Sequence, residues 1–575
     1  MITFGSMPPL AVPRSPSKLP ALSRIAARRL LGGLVALLAL APGVALAQTA
    51  LSHTSDAAPI PRGALRFSIA SGWTRYDGRF SDSGSIRGLG DYFSTDSLGP
   101  RQLPNLGPVE GAFQTLSNNA AQRLTLGRLA VQSDARIVTT PIAVEYGVTR
   151  RLSFGFLVPI VQTRRSAQVQ VNIRAAGDTV RTSNTGLIPV GSREGVAASA
   201  QGIVTALTTA STSLSALVGR CQTNSAAAEC DRIRGREAEA AAAAQRAATF
   251  AAAVRAAYGT TEQTAIVAPL AGSPLAKEIE AQRAALAAQL ATFAPGTTIG
   301  TLFNAPTEFS YADLQGRNGT AGLLQSDLGG GLDSIHTTNR IGFGDVELRA
   351  GYLLLDHTHA DSLSIRGLQY RLAVGGSLRF ATSRVDSARN VLDIGTGDGA
   401  GAEVRSALDV TSGRMGATVA GRYVKSFPRT ITAPVIGFPE DGFPYPLFGS
   451  VSRTAGTVIA LDVTPRVFLG EWLAFEGQYG FEHTGAPTYA NVTDVVVAPC
   501  AACSPLASSL PPSDQTVQRV GLGLRYSTLD SYLRGRARYP IEVSYRHLET
   551  ITGSGGAPKL FRDQIQLRIY YRVLR

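Results

Sequence analysis

The sequence predicts an all-β protein: a transmembrane antiparallel β-barrel of about twelve strands, carrying a long Ala-rich α-helical insertion in an external loop. Three observations carry that prediction. Segments of period-two alternation recur at membrane-crossing length, their connections alternate short and long, and aromatic residues collect near both ends of the segments. The clearest pair lies between Gly342 and Phe380. Leu368, Tyr370, Leu372, Val374, Leu378 and Phe380 fall on one face, and Gln369, Arg371, Ala373, Gly375, Ser377 and Arg379 on the other. Before them, Val346, Leu348, Ala350, Tyr352 and Leu354 oppose Asp345, Glu347, Arg349 and Gly351. A sandwich strand and a barrel strand share this alternation, so the rest of the chain must decide.

At the N-terminus, Arg14, Lys18, Arg24, Arg28 and Arg29 precede an apolar run from Leu30 to Ala47 that contains Pro42 and ends in Ala45-Leu46-Ala47. A basic flank, a short apolar stretch and a small-x-small end make a secretory signal peptide, cut before Gln48. Residues 1–47 are thus expected to be removed, and 48–575 to form the barrel. The net charge of +13 includes those five basic residues and no acid among residues 1–47, which leaves +8 for the mature chain. The arginines sit in strand positions rather than in one patch, so nucleic acid is not an expected partner. No later apolar run reaches the ~20 residues of a spanning helix.

In order, the alternating segments are Ala64 to Asp77, Arg136 to Val148, Leu152 to Val161, the pair within Gly342 to Phe380, Glu403 to Val410, Met415 to Val424, Thr457 to Val467, Trp472 to His483, Val517 to Tyr526, Tyr539 to Leu548 and Asp563 to Leu574. Tight connections, such as Val148 to Arg150, Thr411 to Gly413 and Leu469 to Glu471, alternate with long polar ones. The long ones are Gly78 to Ala135, Gln162 to Ile341, Ala381 to Gly401, Lys425 to Gly456, Thr484 to Thr516 and Thr550 to Arg562. Short periplasmic turns and long external loops belong to a barrel threaded through an outer membrane. With the first strand running outward, Phe67, Tyr146, Phe154, Tyr352, Tyr370, Trp472, Tyr526, Tyr539 and Tyr571 mark the periplasmic end. Trp73, Phe380, Tyr423, Phe481 and Tyr545 mark the external one. A sandwich core has no reason to produce two aromatic girdles.

Residues 175–341 form the external insertion, with helical spacing over 196–293: Ile203, Leu207, Leu214 and Leu217 share a face, and two Ala-rich stretches follow. It could cap the mouth, plug the lumen, project as a helical hairpin, or be a tolerated, partly ordered, low-complexity segment. Cys221 and Cys230, and Cys500 and Cys503, form two close pairs, read as two local disulfides in an oxidising compartment. No metal site and no cofactor are expected.

The stretch VLDIGTGDGAGAE, Val391 to Glu403, mimics a cofactor-binding glycine loop, but strand-like flanks deny it the parallel-strand-to-helix setting such a loop needs. Asp393 and Asp398 read as solvated rather than calcium-binding. His483 and His547 point to the lipid side, and neither has a neighbouring Ser or an evident carboxylate partner there, so no hydrolase is expected. The inward rows gather Arg66, Glu145, Glu347, Arg349, Arg371, Arg379, Glu403, Arg405, Arg422, Asp462, Arg466, Glu476, Glu482, Arg519, Arg525, Glu542, Arg546, Arg568 and Arg572. These are expected to line a lumen, where ion-pair ladders stiffen the wall and the arginine excess favours anionic or π-rich solutes.

The stretches EYGVTRRLSFGFLVPIV (Glu145 to Val161), GFGDVELRAGYLLL (Gly342 to Leu355) and LDIGTGDGAG resemble an outer-membrane barrel family associated with the meta-cleavage pathway of phenol degradation. The resemblance covers the strands from about Arg136 onward and leaves out the Ala-rich insert. Where that family often has Pro-Thr-Gly, this chain reads Ala381-Thr382-Ser383, and it ends in Arg575 rather than an aromatic residue. The resemblance implies a small outer-membrane channel for aromatic or other hydrophobic compounds. Expected partners are outer-membrane lipid, the barrel-assembly machinery and a small organic solute, with oligomeric state open. The competing expectation is a non-conducting barrel whose helical insert binds a partner.

Overall fold

The computed structural model describes residues 57–174, 182–317, 320–326, 333–357, 368–385, 390, 395–397, 399–435, 445–490, 514–533 and 535–572. Twelve strands form the wall: β1 (Ala64–Phe80), β2 (Leu129–Gly147), β3 (Leu152–Val171), β4 (Val346–Asp356), β5 (Leu368–Phe380), β6 (Gly401–Ser412), β7 (Met415–Ser426), β8 (Val458–Phe468), β9 (Leu473–Thr484), β10 (Gln515–Ser527), β11 (Ile541–Ser554) and β12 (Pro558–Arg572). Each pairs antiparallel with its neighbours. The ring closes twice over: β12 meets β1, with Leu65 opposite Tyr571, and β4 meets β3, with Tyr352 opposite Leu152. A closed ring leaves no edge, which satisfies the backbone inside a bilayer.

Burial is inverted relative to a water-soluble protein. Leu348, Leu378, Leu522 and Val404 stand half or more exposed on the outer face, while Glu476, Glu482 and Arg546 are buried inside. The two rows follow from the two-residue strand period, which sends neighbours to opposite sides.

β1, β2 and β3 rise well beyond the length a bilayer needs, and a short strand, Thr338–Phe343, pairs with the upper part of β3. Between that strand and β4 the register slips at Gly344 and Asp345, beside Pro159. The expected loop from Thr550 to Arg562 is instead more strand. β11 runs to Ser554 and β12 starts at Pro558, closed by Gly555 and Gly556 at φ values of 69° and 80°. Above the apolar band no lipid demands an apolar face, so alternation fades while the hydrogen-bond ladder continues. The stretch from Lys425 to Gly456 likewise holds a hairpin of Arg429–Val435 and Tyr445–Thr454.

The helices form a cap whose apolar core also takes in Leu129, Val131 and Val171 from the outer ends of β2 and β3. α1 (Gly107–Ser117) comes from the first long connection; α2 (Arg193–Thr223), α3 (Glu237–Tyr258) and α4 (Pro274–Phe293) come from the insertion. α1 packs on α3 and α4, with the Phe113 and Tyr258 rings edge to face at 6.2 Å. Leu98, Leu103, Leu106 and Leu116 join Leu207, Leu214 and Leu290 in one apolar cluster. α4 starts cleanly because the Ser273 hydroxyl accepts from the Ala276 amide and Pro274 occupies the first turn. Cys221 and Cys230 form a disulfide at the end of α2; Cys500 and Cys503 lie outside the described residues, as do Asp393, Asp398 and residues 1–56.

Candidate functional site: the barrel lumen

The inward side chains are organised by small residues between them. Glu476 lies opposite Arg466 on one side and Gly523 on the other, and Gly523 in turn lies opposite Arg546. With no side chain at Gly523, Arg546 reaches across two strands and donates to Glu476 at 2.6 and 3.1 Å. A Cβ there would come within 2.8 Å of the Arg546 Cγ and 2.6 Å of the Tyr545 carbonyl oxygen. Arg466 approaches the same carboxylate at 3.9 Å from the other side. Ala460 plays the same spacer role for Arg422, which donates to Glu482 at 2.5 Å, and Arg519 completes that group at 3.3 Å. Glu542 takes Arg525 at 2.7 Å, Arg568 at 3.7 Å and the Tyr570 hydroxyl at 2.7 Å. Each of these three carboxylates is therefore shared by two guanidiniums, and each group carries one surplus positive charge. The surplus favours anions in the lumen.

On the far wall Arg66 pairs with Glu145 at 2.6 Å and Arg349 with Glu347 at 2.7 Å. Asp462 accepts from Gln478 at 3.3 Å, Arg379 donates to Ser426 at 3.4 Å, and Arg371 meets Asp356 at 3.4 Å. Arg405 and Glu403 sit on the inward face of β6, and Arg572 is exposed at the periplasmic rim. The lumen is not uniformly ionic. On β2 and β3 the inward residues Pro141, Ala143, Leu157, Pro159 and Val161 are buried and uncharged.

Several participants carry no obvious sequence signal. Ala57 to Ile60, just before β1, form part of the wall of an inner cavity in the periplasmic half, and the Ala57 amide donates to Asp409 at 2.8 Å. That cavity holds about 90 Å³; a separate one beside Glu482 and Arg562 holds about 20 Å³. Asp345, read as one more member of the inward polar row, is instead fully buried at the register slip. It accepts from the Ser383 amide at 3.0 Å and the Gly399 amide at 2.8 Å, pinning the connection after β5. The reading of His547 also needs correction. Its Nδ1 lies 2.9 Å from Asp563 on the outer face, and Tyr545 donates to the same carboxylate at 2.8 Å. β11 and β12 place His547 directly opposite Asp563, a register that sequence spacing alone does not reveal. Among the described residues no serine or cysteine hydrogen-bonds to this group.

A closed antiparallel ring with an apolar exterior, aromatic ends and a paired ionic interior is the construction of an outer-membrane β-barrel. No family model matches the chain, and no curated protein matches it. Among solved structures, it is similar to an outer-membrane channel from Pseudomonas putida F1, at 7% identity and a TM-score of 0.37, covering 90% of this chain and 98% of that one. The toluene transporter TodX of P. putida aligns at 10% identity and 0.24, over 89% of each chain. The translocator domain of the autotransporter NalP from Neisseria meningitidis aligns at 9% and 0.26, over 96% of each. At TM-scores below 0.5 none of these likenesses bears on what the chain does.

Proposed function

We propose that this protein is an outer-membrane channel for passive passage of small organic solutes, aromatic or hydrophobic in body, delivered to the barrel-assembly machinery after removal of residues 1–47. The observation that carries this reading is the two-sided lumen. Shared carboxylates leave excess guanidinium charge along β7 to β12, and an uncharged stripe follows β2 and β3. A solute with a π-face or an apolar body can contact the stripe while arginines address its polar end. The family resemblance points to the same solute class. A second reading is a non-conducting barrel whose cap binds a partner, and the size of the packed helical insertion favours it. No enzymatic step is proposed.

The experiment is single-channel conductance of the purified full chain in a planar bilayer, beside uptake of toluene and benzoate into proteoliposomes. The channel reading expects conductance, or uptake above protein-free liposomes. A folded barrel, judged by heat-modifiable gel migration, that shows neither sinks it and leaves the cap as the place to seek function. Deleting Val196 to Phe293 separates the two readings further. A rise in conductance means that the cap restricts the mouth, whereas persistent silence supports the partner-binding barrel.

A further inference from the structure

We infer that the inner cavity of the periplasmic half is a binding site for a small organic monocarboxylate, an anion with a compact apolar body. This deepens the channel reading by naming a solute class for one site in the lumen. Arg66, Arg151, Arg349, Arg405 and Arg568 all reach the cavity wall, against a single carboxylate, Glu145. Three of the five have acidic partners: Arg66 on Glu145, Arg349 on Glu347, and Arg568 toward Glu542. Arg405 makes no hydrogen bond or ion pair with any described residue. Glu403, the acid next to it on the same strand face, sits one step toward the external end and outside the cavity wall. The cavity therefore presents a guanidinium with unused donors in a surrounding of excess positive charge.

Arg405 is directed there by its neighbour. Gly375 lies opposite it on β5, and a Cβ at that glycine would stand 3.0 Å from the Arg405 Nε, so the bare backbone gives the side chain its room. A guanidinium fork matches the two oxygens of a carboxylate, and such charge-assisted pairs are the stronger kind of hydrogen bond. The remaining wall sets Ser68, Ser153, Ser406 and Gln566 beside an apolar group that faces the body of the ligand. Ile60, Leu353, Ala373 and Ala407 are buried or half-buried and offer no hydrogen-bond donor from their side chains. Inorganic phosphate or sulfate would answer the charge and leave that apolar wall against an anion. An alkyl or aryl carboxylate answers both.

The test is equilibrium dialysis of labelled benzoate against the purified full chain in zwitterionic detergent and low-chloride buffer. Saturable benzoate binding is expected, with benzyl alcohol, its neutral counterpart, at least about tenfold weaker. Arg405→Gln should weaken benzoate by about tenfold or more, Arg405→Lys by less, and Arg536→Gln, on a periplasmic turn, not at all. Equal binding of benzyl alcohol, unchanged binding in a folded Arg405→Gln, or displacement of benzoate by equimolar sulfate overturns the assignment. Should the Arg405 variants fail to fold, the benzoate and benzyl alcohol comparison on the unaltered chain still decides. Binding without conductance or uptake removes the channel and keeps the site; passage without binding does the reverse.

Discussion

The barrel lumen and the cap bury opposite kinds of side chain, though one chain builds both. In the lumen, Glu476 and Arg546 are almost wholly shielded from solvent, yet Leu522 and Leu348 lie open on the outer face. In the cap, Leu207, Phe113 and Tyr258 fill the interior, and the ion pairs Arg220–Glu229, Arg236–Glu239 and Arg283–Glu280 lie at the surface. Each region has the face that its own solvent requires, lipid for one and water for the other. An ion pair therefore has different weight in the two places: between surface chains it adds little, whereas breaking a shielded one strands a charge.

The largest effect should follow from breaking a shared lumenal carboxylate. Glu476→Ala leaves Arg466 and Arg546 facing each other without their anion, at a cost of up to ~5 kcal/mol. Heat-modifiable migration in urea would read it, and Glu476→Gln, which keeps the shape, should recover only part. An unchanged urea midpoint for Glu476→Ala would show that lumenal water, not pairing, holds these arginines. The matching change in the cap is Leu207→Ala, in its apolar cluster, expected to cost about 3 kcal/mol in the cap alone. Limited proteolysis should then cut within residues 193–293 while the barrel keeps its gel migration. Joint loss of both would mean that cap and barrel unfold as one unit.

How far this division could be read from the sequence depends on the same contrast. Strands whose two faces meet lipid and lumen advertise themselves: Ile565, Leu567 and Ile569 alternate with Gln564, Gln566 and Arg568, and both rows lie where the alternation puts them. Where a strand leaves the bilayer the signal stops before the strand does, so Leu560 and Phe561 carry no strand pattern although they lie in β12. In the cap, α2 to α4 were legible from Ala-rich spacing. α1 is hard to see, although Val109, Ala112, Phe113 and Leu116 repeat at helical intervals, because eleven residues inside a long polar connection give a weak pattern. The lumenal arginines were recognisable one by one. Their sharing of Glu476, Glu482 and Glu542 was not, since it depends on which strand lies beside which and on the bare backbone at Gly523.

A smaller effect sharpens the lipid side of the comparison. Leu567 faces outward midway between Asp563, level with Trp73, and Tyr571 at the periplasmic girdle. Leu567→Arg places a charge near the bilayer centre and should cost about 2 kcal/mol. The adjacent inward change Gln566→Glu adds a charge that the arginines of the same cavity wall, Arg66, Arg405 and Arg568, accommodate. It should shift the urea midpoint in lipid vesicles by less than half as much. Equal shifts would deny that the two rows see different solvents.

The smallest effect belongs to a cap surface pair. Arg283 donates to Glu280 at 2.6 and 2.8 Å, and this hydrogen bond is the main reason that the Glu280 carboxyl is held below its ordinary range. A carboxylate whose acidity is raised on folding adds stability above its unfolded pKa, and that stability is lost as pH falls through the lower, folded value. Both side chains lie near water at three residues' separation on α4, so the contribution is a few tenths of a kcal/mol. Glu280→Gln should thus lower the helical melting midpoint, followed by circular dichroism, by about a degree at pH 7. The difference should close as pH drops below the usual carboxylate range, because the unaltered chain then loses the same interaction by protonation. A difference that persists in acid would assign the loss to packing of the side chain. Arg283 would then act through its other bond, to the Ile299 carbonyl oxygen at 3.0 Å, which ties α4 to the chain that follows it.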